Sequence, residues 1–89
     1  MGRIQTTFEA LQREERKALV AYLTAGDPDE QASIDAALCV VDNGADILEV
    51  GVPFSDPTAD GPVIQRAMLR ALQAGGGFES SMRVVDAIR

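Results

Sequence analysis

The sequence predicts an α/β fold in which two parallel strands are joined by a helix. Two short apolar runs, residues 18–24 and 47–52, are typical of buried parallel strands. The segment between them repeats apolar residues at helical spacing over residues 30–43 and stops at Asn43 and Gly44. A strand, a helix and a strand at this spacing form a βαβ unit, with parallel pairing and a right-handed crossover.

Three more helices are predicted around this unit. One covers residues 5–14, and another begins at Pro62, a favoured first-turn residue, and runs to residue 74. Residues 75–77, three glycines, separate it from a last helix that starts at Phe78; we interpret them as a flexible joint, since they are only a weak match to a phosphate-binding loop. The side chains expected on the apolar faces are Ile4, Phe8 and Leu11; Ile34, Ala37, Leu38 and Val41; Ile64, Met68 and Leu72; and Met82, Val85 and Ile88.

The composition is that of an ordinary globular chain with excess negative charge. The 89 residues are 46% hydrophobic and 25% charged, with a formal net charge of −6. This charge argues against nucleic acid or an anionic membrane as partner, and the apolar runs are too short to span a bilayer. With no histidine and one cysteine, the sequence excludes a histidine base and an internal disulfide. Cys39 is expected to be a small buried side chain, and a lone cysteine fits the cytoplasm.

An acidic side chain lies inside the second apolar run, and two more follow it. Glu49 is set in the strand, and Asp56 and Asp60 lie in the loop that leaves the strand's carboxyl end. A buried carboxylate is unfavourable unless it is paired, protonated or used, and parallel α/β folds place their chemistry at this end. The three acids are therefore a candidate acid–base site. The residues alone leave another interpretation open, in which Glu49 pairs with a lysine or arginine between layers and Asp60 is only a helix N-cap.

Two motifs give the chain a specific family resemblance. Residues 46–65, above all EVGVPFSDPTADGPVIQ at 49–65, resemble the signature of the tryptophan synthase α subunit family. The stretch YLTAGDP at 22–28 is similar to the first-strand motif of the same family. Both motifs are in register with the family from the amino terminus, so the resemblance covers the whole chain.

The resemblance implies a fold and a reaction. The fold would be the N-terminal part of a (β/α)8 TIM barrel, with residues 1–89 forming a single partial segment, because a complete barrel takes about 250 residues. The family is a lyase of tryptophan biosynthesis that splits indole-3-glycerol phosphate into indole and glyceraldehyde 3-phosphate, without metal or organic cofactor. Glu49 would then carry the proton transfers, Asp60 would hold the indole N–H, and Tyr22 would stand at an aromatic wall where the family commonly has phenylalanine.

The same resemblance implies a partner surface. The loop from Pro53 to Asp60 would contact the tryptophan synthase β subunit, through Pro53, Phe54 and Asp56. For Asp56, capping of its own turn is an equally good interpretation. Thr58 stands where the family often has leucine, which is a departure from the pattern.

Activity is not expected from these 89 residues alone. In the resembling family the phosphate site and a mobile lid come from later loops, which this sequence does not contain. Two strands also leave both sheet edges unpaired, so we expect the chain to associate with copies of itself. The alternative function is therefore a non-catalytic barrel fragment or a self-associating assembly module. The stretch from Phe54 to Pro57 argues against a different phosphate-binding barrel.

Overall fold

The computed structural model describes residues 2–54 and 61–89. Within these residues the helices and strands are α1 (Arg3–Arg13), β1 (Val20–Thr24), α2 (Glu30–Asp42), β2 (Ile47–Gly51), α3 (Pro62–Gln73) and α4 (Phe78–Ile88). All the predicted helices and strands are present, with ends that differ by at most two residues from those predicted. None of the described helices has the length and apolar character that a membrane crossing requires.

The sheet has the predicted parallel pairing. β1 and β2 lie side by side with Val20 opposite Ile47, Tyr22 opposite Glu49 and Thr24 opposite Gly51. The register is held at the amino end by Asp46, whose Oδ2 accepts a 2.8 Å hydrogen bond from the amide of Leu19. The connection through α2 makes this a βαβ unit, which fixes where the carboxyl ends of both strands lie.

The two faces of β1 differ in what covers them. Ala21 and Leu23 are half-buried on the face against which α2 and α3 pack, whereas Val20 and Tyr22 are 47% and 40% exposed on the other face. The expectation that β1 is a buried strand is therefore wrong for the face that carries Val20 and Tyr22. The reason is that the described helices cover one face only, and a two-stranded sheet cannot fold over to cover the other.

The helix that follows β1 packs against α4 through small side chains. Ser33 and Ala37 are the buried residues of α2, and Ser81 and Val84 are fully buried on α4. The predicted apolar faces of these two helices are wrong in several positions: Leu38, Val41 and Met82 are 40%, 42% and 38% exposed, and Cys39, expected to be buried, is exposed as well. The prediction from helical periodicity chose large apolar residues for the contact face. The close contact between α2 and α4 instead buries small residues such as Ser33, Ala37 and Ser81.

The other two helices agree better with their predicted faces. Met68 and Ala71 of α3 are 4% and 0% exposed, so Met68 fills the core as expected. On α1, Leu11 is buried but Ile4 and Phe8 are 61% and 50% exposed. The apolar stripe of α1 is thus only partly covered by the described residues.

The three glycines between α3 and α4 form a tight joint. Their amides are all engaged locally: Gly75 donates to the Leu72 carbonyl, Gly76 to the Ala71 carbonyl at 2.7 Å, and Gly77 to Ser80 Oγ at 2.8 Å. A phosphate-binding loop needs free amides that point at the ligand. The described geometry is therefore that of a helix–helix joint and not of a phosphate loop.

Candidate active site

The carboxylate of Glu49 lies on the uncovered face of the sheet. Glu49 is the middle residue of β2, its side chain is exposed, and it pairs in register with Tyr22. Residues that pair in register project to the same face, so both side chains leave the sheet opposite the helices. Glu49 belongs to none of the ion pairs or side-chain hydrogen bonds found among the described residues. The interpretation in which Glu49 is paired between layers is therefore wrong.

The phenol of Tyr22 leans toward the carboxyl end of the strands. Its hydroxyl lies 3.1 Å from Thr24 Oγ1, two residues further along the same strand. The hydroxyl end of the ring also lies over Gly51 of β2, because a β-carbon built on Gly51 would be 2.8 Å from Tyr22 Cζ. An aromatic ring and a carboxylate thus share one uncovered face.

The remaining residues predicted for the site lie in the loop after β2. Pro53 is buried and Phe54 is 51% exposed. Asp56, Thr58 and Asp60 lie outside the described residues. Among the described residues α3 has Gly61 at its N-cap and Pro62 at its first helical position, and the interpretation of Asp60 as an N-cap falls outside them.

The turn after β1 is held by groups that sequence reasoning missed. The buried amide of Gly26 donates a 3.0 Å hydrogen bond to Ser33 Oγ of α2. Asp27, in the same turn, accepts two hydrogen bonds from Arg70 of α3. Asp29 caps α2, since its Oδ1 accepts a 2.8 Å hydrogen bond from the Ala32 amide. Only the cap has a local sequence signal, since the other contacts join distant residues.

What this arrangement can do chemically follows from its groups. An unpaired carboxylate on an open face can accept or donate a proton, and the neighbouring ring can form one wall of a pocket for an apolar ligand. In the described residues, no three histidine, cysteine, aspartate or glutamate side chains cluster as a metal site would require. The site's second acid, Asp60, lies in the part of the loop that is not described.

Comparison with known proteins places this geometry in a family. The family profile described as "Tryptophan synthase alpha chain" matches residues 8–89. The tryptophan synthase alpha chains of Methylibium petroleiphilum and Thermoanaerobacter pseudethanolicus are 51% and 49% identical over the whole of this chain. The chain spans 33% and 34% of their respective lengths.

Solved structures give the same answer for the fold. The tryptophan synthase subunit alpha of Legionella pneumophila superposes with a TM-score of 0.95 at 45% identity, over 100% of this chain and 34% of that one. A tryptophan synthase from M. tuberculosis in its aminoacrylate-bound form gives 0.93 at 42% identity, over 99% and 36% of the two chains. The predicted fold, the N-terminal part of a TIM barrel, is confirmed, and the chain belongs to the tryptophan synthase alpha chain family.

Proposed function

We propose that this chain supplies the first strands of a barrel that cleaves indole-3-glycerol phosphate into indole and glyceraldehyde 3-phosphate. Residues 1–89 would form one partial barrel segment of a cytoplasmic lyase in tryptophan biosynthesis. The observation that carries the proposal is the position of Glu49. Its carboxylate projects, unpaired, from the face of β2 opposite the helices and next to Tyr22. In a closed barrel this face is the interior, and the carboxyl ends of the strands form the active-site rim.

Glu49 would serve both proton transfers of the retro-aldol cleavage. The ring carbon of the indole gains a proton while a glycerol hydroxyl loses one, so a single carboxyl group can donate the first and accept the second. Asp60 would hold the indole N–H and stabilise the positive charge that appears on the protonated ring. Tyr22 would line the pocket against the indole. The reaction balances without a metal or an organic cofactor.

The loop after β2 would meet the tryptophan synthase β subunit, the partner of this family. Phe54, which follows Pro53 in the loop after β2, is half exposed, which suits an apolar contact across an interface. Pro53 is buried, so its contribution would be to shape the loop. Asp56 would supply the charged contact. These roles are carried from the family motif onto matching positions.

The second candidate function is a non-catalytic barrel fragment that associates with itself. The observation in its favour is the amount of uncovered apolar surface on α1, on β1 and on the residue that precedes β1. The exposed side chains there are Ile4, Phe8, Leu19, Val20 and Tyr22. Paired with open strand edges, such a surface favours association between copies. Sedimentation of the purified chain should therefore give species larger than a monomer, and a sharp monomer peak with cooperative melting would contradict this.

Fragment complementation tests the catalytic proposal. The 89-residue chain alone should release no indole from indole-3-glycerol phosphate, because the loops that bind phosphate in the family lie later in the sequence. Mixed with a chain that carries the remaining two thirds of a relative such as the Thermoanaerobacter protein, it should release indole. Glu49→Gln should abolish that release, whereas Glu9→Gln, an equivalent change on exposed α1, should leave it unchanged. Indole release that survives Glu49→Gln would overturn the proposal.

A further inference from the structure

We propose that Thr24 and Gly51 are positioning residues that hold the phenol of Tyr22 in place before any ligand arrives. Thr24 anchors the phenol hydroxyl, and Gly51 leaves the space that the end of the ring occupies. That a planar aromatic ligand packs against the positioned Tyr22 ring rests on the proposed function. The fixed position of the ring does not depend on that function.

The first support is the hydroxyl pair. Tyr22 and Thr24 are two residues apart on β1, so their side chains leave the same face of the sheet. Their oxygens are 3.1 Å apart, a distance at which one hydroxyl donates to the other. Thr24 is 4% exposed while Tyr22 is 40% exposed, so the anchor is buried and the anchored ring is accessible. A β-branched threonine also has few rotamers on a strand, which makes it a stiff anchor.

The second support is the empty position beneath the ring. Gly51 pairs with Thr24 across the sheet, and a β-carbon there would lie 2.8 Å from Tyr22 Cζ and 3.1 Å from Cε2. Carbon atoms in contact are normally separated by about 3.5–4.0 Å, so any side chain at this position would displace the ring. Glycine at position 51 leaves open the space that the phenol fills by leaning from β1 across to β2.

The consequence is a pre-organised wall beside Glu49. Neighbouring strands lie about 4.8 Å apart, so Tyr22 and its register partner Glu49 are adjacent at the same level of the sheet. An aromatic side chain that is already held in its binding position loses less freedom when a ligand packs on it. Thr24 and Gly51 would thus act on an aromatic ligand only through Tyr22.

The chain offers a clean spectroscopic test, because Tyr22 is its only tyrosine and there is no tryptophan. A tyrosine ring whose hydroxyl is fixed by Thr24 should give a band in the near-ultraviolet circular dichroism spectrum of the 89-residue chain. Thr24→Val keeps the shape and removes the hydroxyl, so most of the band should be lost. Thr24→Ser keeps the hydroxyl and should retain it. Absence of the band in the unmodified chain, or equal spectra for the two variants, would overturn the role of Thr24.

A double-mutant cycle tests Gly51 even where a single variant folds poorly. Gly51→Ala should lower the urea midpoint in the unmodified chain, because the displaced ring loses its contact with Thr24, and should have little effect when combined with Tyr22→Ala, which removes the ring. Equal losses in both backgrounds would overturn the role of Gly51. No ligand is added in either experiment. If the complemented barrel released no indole, the roles of Thr24 and Gly51 would still stand. If the circular dichroism and urea experiments contradicted those roles, the catalytic proposal would still stand.

Discussion

Arg70 holds Asp27 through two parallel hydrogen bonds, from Nε to Oδ1 at 2.8 Å and from Nη2 to Oδ2 at 3.0 Å. The two residues are 43 positions apart, so the pair ties the turn after β1 to α3. The hydrogen bonds to Asp27 raise the pKa of Arg70 above its ordinary value, against a smaller opposing effect of lost hydration. This turn leads out of the strand that carries Tyr22, and the pair therefore positions one side of the candidate site.

We expect Arg70→Lys to lower the urea midpoint of the chain. A lysine keeps the charge but cannot make two parallel hydrogen bonds to one carboxylate. The effect should be modest, since the guanidinium is half exposed and water screens the pair. Arg66→Lys, an equivalent change elsewhere on α3, is the matched control and should be nearly neutral. Equal midpoints for the two variants would show that the paired geometry contributes nothing.

The buried hydroxyl of Ser33 gives a sharper expectation. Ser33→Ala leaves the Gly26 amide without its acceptor in a buried turn, and an unsatisfied buried donor costs about 1–3 kcal/mol. Gln31→Ala, on the exposed side of the same helix, should change the free energy of unfolding by less than about 0.5 kcal/mol. Urea titrations at one fixed protein concentration measure both, because association would otherwise shift the midpoints. A Ser33→Ala loss no larger than that of Gln31→Ala would contradict this account.

Local patterns in the sequence were enough to predict the helices and the strands, and to place Glu49 within β2. Alternation along β2 puts Glu49 on the face opposite Leu48 and Val50, and periodicity along α3 puts Met68 in the core. Both patterns depend only on residues within a single strand or helix, so they can be recognised in the sequence. The sequence alone did not show that the helices cover only one face of the sheet, which is why β1 was expected to be a buried strand.

Contacts between distant elements were beyond such reasoning. The α2–α4 contact buries Ser33, Ala37 and Ser81, while larger apolar residues on the same helices stay exposed. Periodicity ranks side chains by hydrophobicity and does not register that two helices approach most closely where side chains are small. Likewise, nothing in the residues around Asp27 indicates that its partner is Arg70. Asp60, the second acid of the candidate site, stays a prediction.

A second ion pair makes stability depend on pH. Arg83 donates hydrogen bonds to both carboxylate oxygens of Glu30, the shortest at 2.8 Å from Nη2 to Oε1. These bonds are the main cause that lowers the pKa of Glu30 below its ordinary value, while lost hydration partly opposes them. A carboxyl group with a lowered folded-state pKa stabilises the fold above its unfolded-state pKa, and this stabilisation disappears as the pH falls through the folded-state value.

We therefore expect Glu30→Gln to lower the urea midpoint at neutral pH. The difference from the unmodified chain should shrink as acid protonates Glu30 and vanish once the carboxyl is neutral in both states. In an Arg83→Met background, Glu30→Gln should have a much smaller effect, because only the interaction of Glu30 with the first turn of α2 then remains. A gap between the two chains that stays constant from neutral to acid pH would show that another group is responsible.

The glycine joint offers two neighbouring positions with opposite expectations. A β-carbon on Gly76 would lie 2.7 Å from the Ala71 carbonyl oxygen, which is backbone and cannot move away without distorting the end of α3. A β-carbon on Gly77 would meet nothing within 4 Å, and its φ of 178° is extended backbone open to any residue.

Gly76→Ala should therefore destabilise the chain by about 1–3 kcal/mol, as overpacking against fixed atoms does. Gly77→Ala should change the free energy of unfolding by less than about 0.5 kcal/mol. Urea unfolding followed by far-ultraviolet circular dichroism measures both substitutions in the same chain. Because the two variants differ only in position, a similar cost for both would mean that glycine is needed in this joint for flexibility and not for the close approach to Ala71.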